Sequence, residues 1–158
     1  MTIQVGDKLP SFQLQEDTPG NTHDSAALFA GKKGVLFAVP GAFTPGCSQT
    51  HLPGYIADAE ALKAKGVELV VCVSVNDAFV MKAWGEAHGA AGKVLMLADP
   101  DASFTKELGL DVNAGALGGV RSKRYSMIIE DGVVTALNLE PDGFGLNCSL
   151  SGEVLEQL

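Results

Sequence analysis

The sequence predicts an α/β domain built on a mixed β-sheet with helices on both faces, and three observations support this prediction. Residues 34–39 (GVLFAV) and 67–75 (VELVVCVSV) are apolar runs of the kind that form buried strands, the second parallel and central. Helical stretches alternate with these runs, as in layered α/β folds. Near the end, residues 123–130 and 133–139 flank Asp131-Gly132, a dipeptide that favours a tight hairpin turn.

The first half of the chain contains the following predicted elements, in order. They are an extended lead over residues 2–10, an edge strand around Phe12 and Leu14, a turn at 16–21, a short helix at 25–29, the strand at 34–39 and a helix that begins after Thr44. Pro53 predicts a kink in that helix, because proline lacks the N–H that the helix ladder needs. Residues 54–65 continue the helix until Gly66 ends it.

The second half follows the same alternation and then ends in antiparallel structure. It contains the strand at 67–75, a helix capped by Asn76-Asp77 and closed by His88-Gly89, a strand at 93–98, a short helix at 102–108, a glycine-rich loop at 109–119, the hairpin at 123–139, a glycine-rich loop at 141–147 and a last helix at 151–158. Because no repeat or linker interrupts this order, we predict a single domain over residues 1–158.

Composition and charge exclude several classes of function. Of the 158 residues, 46% are hydrophobic and 19% charged, which is typical of a folded globular domain. The net charge of −8 argues against nucleic acid or an anionic membrane as a partner. Residues 1–7 have neither a basic start nor an apolar core, so we expect no secretory signal and a cytoplasmic protein. A mitochondrial or peroxisomal location is the alternative.

The three cysteines, Cys47, Cys72 and Cys148, indicate thiol chemistry inside the cell. Their number and spacing do not match a secreted disulfide framework. The absence of C-x-x-C argues against a paired zinc site and against a thioredoxin-type dithiol. We therefore expect catalysis or redox sensing by separate thiols.

Cys47 has the setting of an activated nucleophile. Two prolines and two glycines fall within residues 40–46 and predict an irregular loop at the carboxyl end of a central strand. With Thr44 as N-cap and Pro45 at the first helical position, Cys47 lies in the first turn of a helix. Backbone N–H groups and the positive end of the helix dipole favour a thiolate there.

Two further features could contribute to such a site. His51 lies four residues after Cys47 on the same helix face, and we interpret it as a histidine that packs near the site rather than a metal ligand or a catalytic base. Arg121, Lys123 and Arg124 form a basic cluster in an acidic chain. They are either a solvated strand end or the source of a cation that stabilises the thiolate and binds oxygen atoms of a substrate.

Residues 40–47 (PGAFTPGC) resemble the active-site motif P-x-x-x-T-x-x-C of the peroxiredoxins. The longer string through Gly54 resembles the peroxiredoxin-5, or type II, subfamily. Segments 73–79, 97–100, 124–126 and 139–143 do so as well, so that the likeness covers nearly the whole chain. The resemblance implies a thioredoxin-like fold and an enzyme that reduces peroxides with thiols, without a metal or an organic cofactor.

The resemblance also assigns a role to each candidate residue. Cys47 would be the peroxidatic nucleophile, and Thr44 would orient the peroxide. Arg124 would stabilise the thiolate and the charge that develops on the oxygens, with help from the backbone N–H groups of Gly46 and Cys47. Pro40 would wall the pocket and shield the sulfur from water. Hydrogen peroxide, alkyl hydroperoxides and peroxynitrite are the expected substrates.

The resulting sulfenic acid needs a second thiol, and the resemblance offers two. Cys148, in a glycine-rich loop, matches the resolving position of animal-type peroxiredoxin-5, which forms an intramolecular disulfide that thioredoxin reduces. Cys72 matches the second cysteine of plant-type members, whose reductant is glutaredoxin or glutathione, but its apolar strand favours a buried, inert thiol. We predict Cys148 as the resolving residue.

A homodimer is expected from the family. A non-enzymatic redox sensor that uses the same thiol is the competing hypothesis.

Overall fold

The computed structural model describes residues 2–158, and within this range nine strands and six α-helices form one α/β unit. The strands are β1 (Gln13–Glu16), β2 (Thr18–Asp24), β3 (Lys33–Val39), β4 (Leu69–Ser74), β5 (Leu95–Ala98), β6 (Asp111–Ala114), β7 (Gly119–Ser122), β8 (Tyr125–Glu130) and β9 (Val133–Leu139). The helices are α1 (Ser25–Leu28), α2 (Leu52–Ala57), α3 (Ala59–Ala64), α4 (Ala78–His88), α5 (Ser103–Glu107) and α6 (Ser151–Gln157).

The main sheet is mixed, as predicted. Its strand order is β2-β1-β5-β4-β3-β8-β9. Strand β4 pairs in parallel with β3 on one side and with β5 on the other, so the apolar run at 67–75 forms the predicted central parallel strand. Strands β8 and β9 pair antiparallel around Asp131-Gly132, which confirms the predicted hairpin. Because β3 and β4 are parallel, the loops that follow them meet at one edge of the sheet.

Two layers of apolar side chains cover the faces of the sheet, which places helices on both sides. Helices α2, α3, α4 and α6 pack on one face through residues such as Tyr55, Leu62, Trp84 and Val154. Helix α5 packs on the other face through Phe104. None of the helices in residues 2–158 combines the length and the apolar character that a bilayer crossing requires.

Three short exposed strands were not predicted. Residues 18–24, taken as part of a turn, form β2, which makes β2 the edge of the sheet and places β1 inside it. The segment 109–119, predicted as a loop, contains β6, and β6 pairs with β7 in a separate small sheet. Most side chains of these strands are exposed or half-buried, so no hydrophobic alternation marked them.

The helix after β3 is distorted next to Pro53, as predicted. It begins at Pro45 and widens into a π-helical segment, Cys47–His51, in which the N–H of Leu52 donates to the carbonyl of Cys47, five residues earlier. Such a widening accommodates a proline, which cannot take part in the regular ladder. The predicted continuous helix over 54–65 is instead divided at Asp58, whose carboxylate accepts a 2.6 Å hydrogen bond from Ser151.

Candidate active site

Cys47 lies where the sequence predicted it, in the first turn of the helix at the carboxyl end of β3. Its side chain is fully buried. The preceding loop is held by the amide oxygen of Asn76, which accepts from the N–H of Ala42 at 3.1 Å. Phe43 adopts a left-handed backbone with a φ of 65°, which is uncommon for a residue with a side chain. This turn places Thr44 at the start of the helix, three residues before the thiol.

The hydroxyl of Thr44 contacts the sulfur directly. Thr44 Oγ1 lies 2.9 Å from Cys47 Sγ and 2.7 Å from the carbonyl oxygen of Gly41. Because a hydroxyl has one proton, it donates to one of these acceptors at a time. With a thiolate at Cys47 it donates to the sulfur. With a protonated thiol it can donate to Gly41 and accept from the S–H, so this hydroxyl can adapt to both forms.

Arg124 is the cation that reaches Cys47. The residue is only 4% exposed, and Nη2 lies 3.4 Å from the sulfur. Nη1 donates to His51 Nδ1 at 2.9 Å, and Nε donates to the carbonyl of Phe144 at 3.3 Å. The ion pairs formed among residues 2–158 do not include Arg124. A buried cation without a carboxylate is costly, and the contacts of Arg124 with the sulfur, with His51 and with Phe144 offset part of that cost.

The other two members of the basic cluster have different roles. Arg121 donates from Nη1 to the carbonyl of Val75 at 2.9 Å and from Nη2 to that of Leu117 at 2.7 Å, and so ties the end of β4 to the turn before β7. Lys123 is half-buried and lies against Gly143. Of the three basic residues, only Arg124 therefore contacts the sulfur of Cys47, and Arg121 and Lys123 contact other parts of the chain.

The ring nitrogens of His51 form hydrogen bonds with Arg124 and Ser149, not with the thiol. Because Nδ1 accepts from Arg124, the proton of the ring is on Nε2, which donates to the carbonyl of Ser149 at 3.1 Å. Burial, together with the charge of Arg124, lowers the pKa of His51 to about 3, so the imidazole is neutral at physiological pH. Its ring packs against Phe37 and Tyr55. No group of three potential metal-binding side chains occurs within the described residues.

Gly46 and Pro40 shape the space around the sulfur. A Cβ added to Gly46 would lie 3.2 Å from Arg124 Nη2 and 3.4 Å from Leu146, so the missing side chain leaves room for the guanidinium. Pro40 is buried directly after β3. The N–H groups of Gly46 and Cys47 belong to the first turn, where helix geometry provides no internal acceptor.

The three cysteines are free in this structure. Cys148 is half-buried, and its thiol donates to the carbonyl of Leu139 at 3.5 Å. Burial, and then the charge of Glu140, raises the pKa of Cys148. Cys72 is fully buried in the middle of β4, opposite Phe37, and burial raises its pKa well above the usual value. The pairing of Cys47 with either thiol stays a prediction.

Comparison with known proteins identifies the family. The redoxin family model matches residues 4–147. The chain is 50% identical to peroxiredoxin-2E-2 (chloroplastic) from Oryza sativa, over 99% of this chain and 73% of that protein. Its fold matches reduced Prx3 from Vibrio vulnificus in complex with hydrogen peroxide (TM-score 0.93, 55% identity, 99% of both chains) and peroxiredoxin 5 from Alvinella pompejana (TM-score 0.85, 38% identity, 98% of both chains).

The chain belongs to the redoxin family and is a peroxiredoxin. Peroxiredoxins are thiol-dependent peroxidases, so this chain is an enzyme that uses a thiol to reduce peroxides. The thioredoxin-like fold that the resemblance implied is also confirmed. These findings favour an enzyme over the competing hypothesis of a redox sensor without enzymatic activity.

Part of the peroxiredoxin site escaped the sequence analysis. Glu140 is fully buried, and its carboxylate accepts hydrogen bonds from the loop that carries Cys148. A second feature that the sequence did not predict is the hydrogen bond that the Tyr55 hydroxyl donates to the Ser149 carbonyl at 2.8 Å. One signal was available, namely an acidic residue directly after an apolar strand and before Pro141, but a carboxylate at that position is ordinarily exposed.

Proposed function

We propose that Cys47 is the peroxidatic residue of this peroxiredoxin and that Thr44 and Arg124 are its catalytic partners. One observation carries the proposal: a buried sulfur lies between a hydroxyl at 2.9 Å and, at 3.4 Å, a guanidinium that forms no ion pair with a carboxylate among the described residues. A thiolate held in this way has both a hydrogen-bond donor and a cation beside it. The same two groups can bind the two oxygens of a peroxide as it approaches.

The reaction follows from these positions. The Cys47 thiolate attacks one peroxide oxygen in line with the O–O bond, an S–O bond forms, and the O–O bond breaks. Sulfur loses two electrons, and the second oxygen leaves as water or an alcohol after taking up a proton. Arg124 and the N–H groups of Gly46 and Cys47 stabilise the negative charge on that oxygen, and Thr44 orients the substrate. Pro40 keeps water from the thiolate.

Turnover distinguishes this function from stoichiometric sensing. With excess hydrogen peroxide, NADPH, thioredoxin reductase and thioredoxin, we expect many moles of peroxide to be consumed per mole of protein. Parallel assays with glutathione and glutaredoxin and with alkyl hydroperoxides or peroxynitrite will rank the reductants and substrates. Our proposal is thioredoxin as reductant, with glutaredoxin or glutathione as the alternative. Consumption that stops after one equivalent with every reductant would contradict the assignment.

We further propose that Cys148 resolves the sulfenic acid. Cys148 is half-buried and lies next to Ser149, whose carbonyl contacts His51 one helical turn after Cys47. Cys72 is less suitable, because it is fully buried and β4 is paired on both sides at this position. A disulfide requires the two Cα atoms to lie within about 7 Å of each other, so this proposal requires Cys148 to come that close to Cys47.

A disulfide map tests the choice of resolving thiol. After one equivalent of hydrogen peroxide, peptide mapping should identify a Cys47–Cys148 bond. A Cys47–Cys72 bond would replace this proposal with the plant-type alternative. Sulfenic acid that persists on Cys47 without either bond would show that an external thiol, such as glutathione, performs the second step.

We also propose that the enzyme forms a homodimer and acts in the cytoplasm. Phe43, Phe79 and Val120 are 54%, 60% and 38% exposed. They lie on segments that the Ala42–Asn76 and Arg121–Val75 hydrogen bonds join at one end of the sheet. Apolar side chains exposed together favour contact with a second copy, and light scattering of the reduced protein should give twice the mass of one chain.

Free thiols suit a reducing compartment such as the cytoplasm, and fractionation of the source cells tests that location.

A further inference from the structure

Glu140, at the end of β9, holds the loop that carries Cys148. Its carboxylate is fully buried and accepts from the N–H groups of Asn147, Cys148 and Ser149 at 2.8–3.1 Å, and from the Ser149 hydroxyl at 2.7 Å. The ion pairs formed among residues 2–158 do not include it. Burial alone would raise the pKa of Glu140, but these hydrogen bonds outweigh burial and lower it to about 2. The carboxylate is therefore ionised at physiological pH.

The Ser149 peptide links this carboxylate to the active site. Its N–H and its hydroxyl point to Glu140, and its carbonyl accepts from His51 Nε2 at 3.1 Å and from the Tyr55 hydroxyl at 2.8 Å. These four hydrogen bonds together determine where the Ser149 carbonyl lies. This carbonyl, together with the Arg124 N–H at Nδ1, keeps the ring proton of His51 on Nε2 and leaves Nδ1 as an acceptor.

The state of His51 in turn determines where Arg124 lies. Arg124 contacts no carboxylate among the ion pairs of the described residues, and its fixed partners besides the sulfur are His51 Nδ1 and the Phe144 carbonyl. If the ring lost its partner at Ser149, it could turn or move its proton to Nδ1, and an N–H would then face the Arg124 N–H. Two donors cannot bind each other, so the guanidinium would move away from Cys47.

We propose that Glu140 is a positioning residue of the peroxidase reaction, which acts through the Ser149 carbonyl and the His51 ring to hold Arg124 Nη2 against the sulfur of Cys47. Hydrogen bonds of 2.7–3.4 Å thus connect the buried Glu140 carboxylate to the Cys47 thiol, by way of Ser149, His51 and Arg124. The inference rests on the proposed function only in that Cys47 is the reacting thiol. It does not require Cys148 to be the resolving residue.

The test measures the reaction of the thiol with peroxide in stopped flow. The single tryptophan of the chain, Trp84, donates to the Ser48 hydroxyl at 2.9 Å and so reports on the turn that contains Cys47. We expect Glu140→Gln to lower the second-order rate constant for hydrogen peroxide about tenfold or more, because a displaced catalytic group costs rate steeply. The glutamine amide would place N–H donors against the N–H groups and the hydroxyl that donate to the Glu140 carboxylate, so some of these hydrogen bonds would be lost.

Asp99→Asn is the matched control. Asp99 is also a buried carboxylate, 3% exposed, and it accepts from the N–H groups of Phe104 and Thr105 and from the Thr105 hydroxyl. It holds the start of α5 and contacts neither His51 nor Arg124. If Glu140 served stability alone, both variants would melt earlier and react with peroxide at the rate of the wild type. That result would overturn the inference.

A double-mutant cycle with His51→Gln separates positioning from independent damage. If Glu140 acts through His51, the double variant should react no more slowly than the slower single variant. If the two residues act independently, the two decreases in rate constant would multiply, and that result would contradict the inference. If Glu140→Gln does not fold, Ser149→Ala carries the test, because it removes only one hydrogen bond to the carboxylate. We expect about a threefold lower rate constant for it, and an unchanged rate constant would overturn the inference. A Cys47→Ser protein that still reduces peroxide would instead refute the proposed function.

Discussion

Replacing Cys47 with serine is expected to reduce peroxide turnover to the uncatalysed level. The serine hydroxyl stays protonated at neutral pH and is a much weaker nucleophile than a thiolate, even with Thr44 and Arg124 in place. The exchange removes little volume from a fully buried position, so the fold should be retained. The measurement is NADPH oxidation in the thioredoxin-coupled assay, with circular dichroism to confirm folding.

The other two cysteines provide the controls. Cys72→Ala should react with the first equivalent of peroxide like the wild type, because its buried thiol is protonated and remote from solvent. Cys148→Ser should also consume the first equivalent but lose turnover with thioredoxin. Retained turnover in Cys47→Ser would show that a different thiol performs the reaction.

The second large effect is expected at Arg124. Arg124→Met keeps much of the buried volume and removes the cation that lies 3.4 Å from the sulfur. Loss of one such stabilising group typically lowers the rate by about 10²–10³-fold. We therefore expect a decrease of that order in the rate constant for hydrogen peroxide, measured by Trp84 fluorescence in stopped flow. Arg124→Lys should recover part of the loss, because an ammonium keeps the charge but cannot reach both His51 and the sulfur with the same geometry.

Lys123→Met is the matched control for Arg124. It removes a neighbouring positive charge from a half-buried residue that forms none of the contacts around Cys47. Its rate constant should stay within about twofold of the wild type, since a charge that forms no direct contact with the sulfur and is partly open to solvent acts weakly at a distance. If Lys123→Met and Arg124→Met lost activity equally, the general positive charge of this segment, not the Arg124 guanidinium, would be the cause.

Local patterns predicted the elements that the site needs. The apolar runs at 34–39 and 67–75 identified β3 and β4, because strands buried on both faces have no polar alternation to obscure them. The prolines and glycines of residues 40–46 predicted the loop and the helix that begins at Pro45. The same reasoning failed for β2, β6 and β7, whose exposed residues contain no periodic signal.

The sequence by itself determined the candidate nucleophile and its local setting, since Thr44 and Cys47 lie within one helical turn and the backbone alone brings them together. Only the tertiary structure decided which cation reaches the sulfur. Arg121, Lys123 and Arg124 are neighbours in the chain, but Arg124 alone, directly before the start of β8, reaches the sulfur of Cys47, 77 residues away in sequence. The support of Arg124 by His51, Ser149 and Glu140 was equally invisible. These groups come from three separate segments, and buried polar groups find their partners through the packing of those segments.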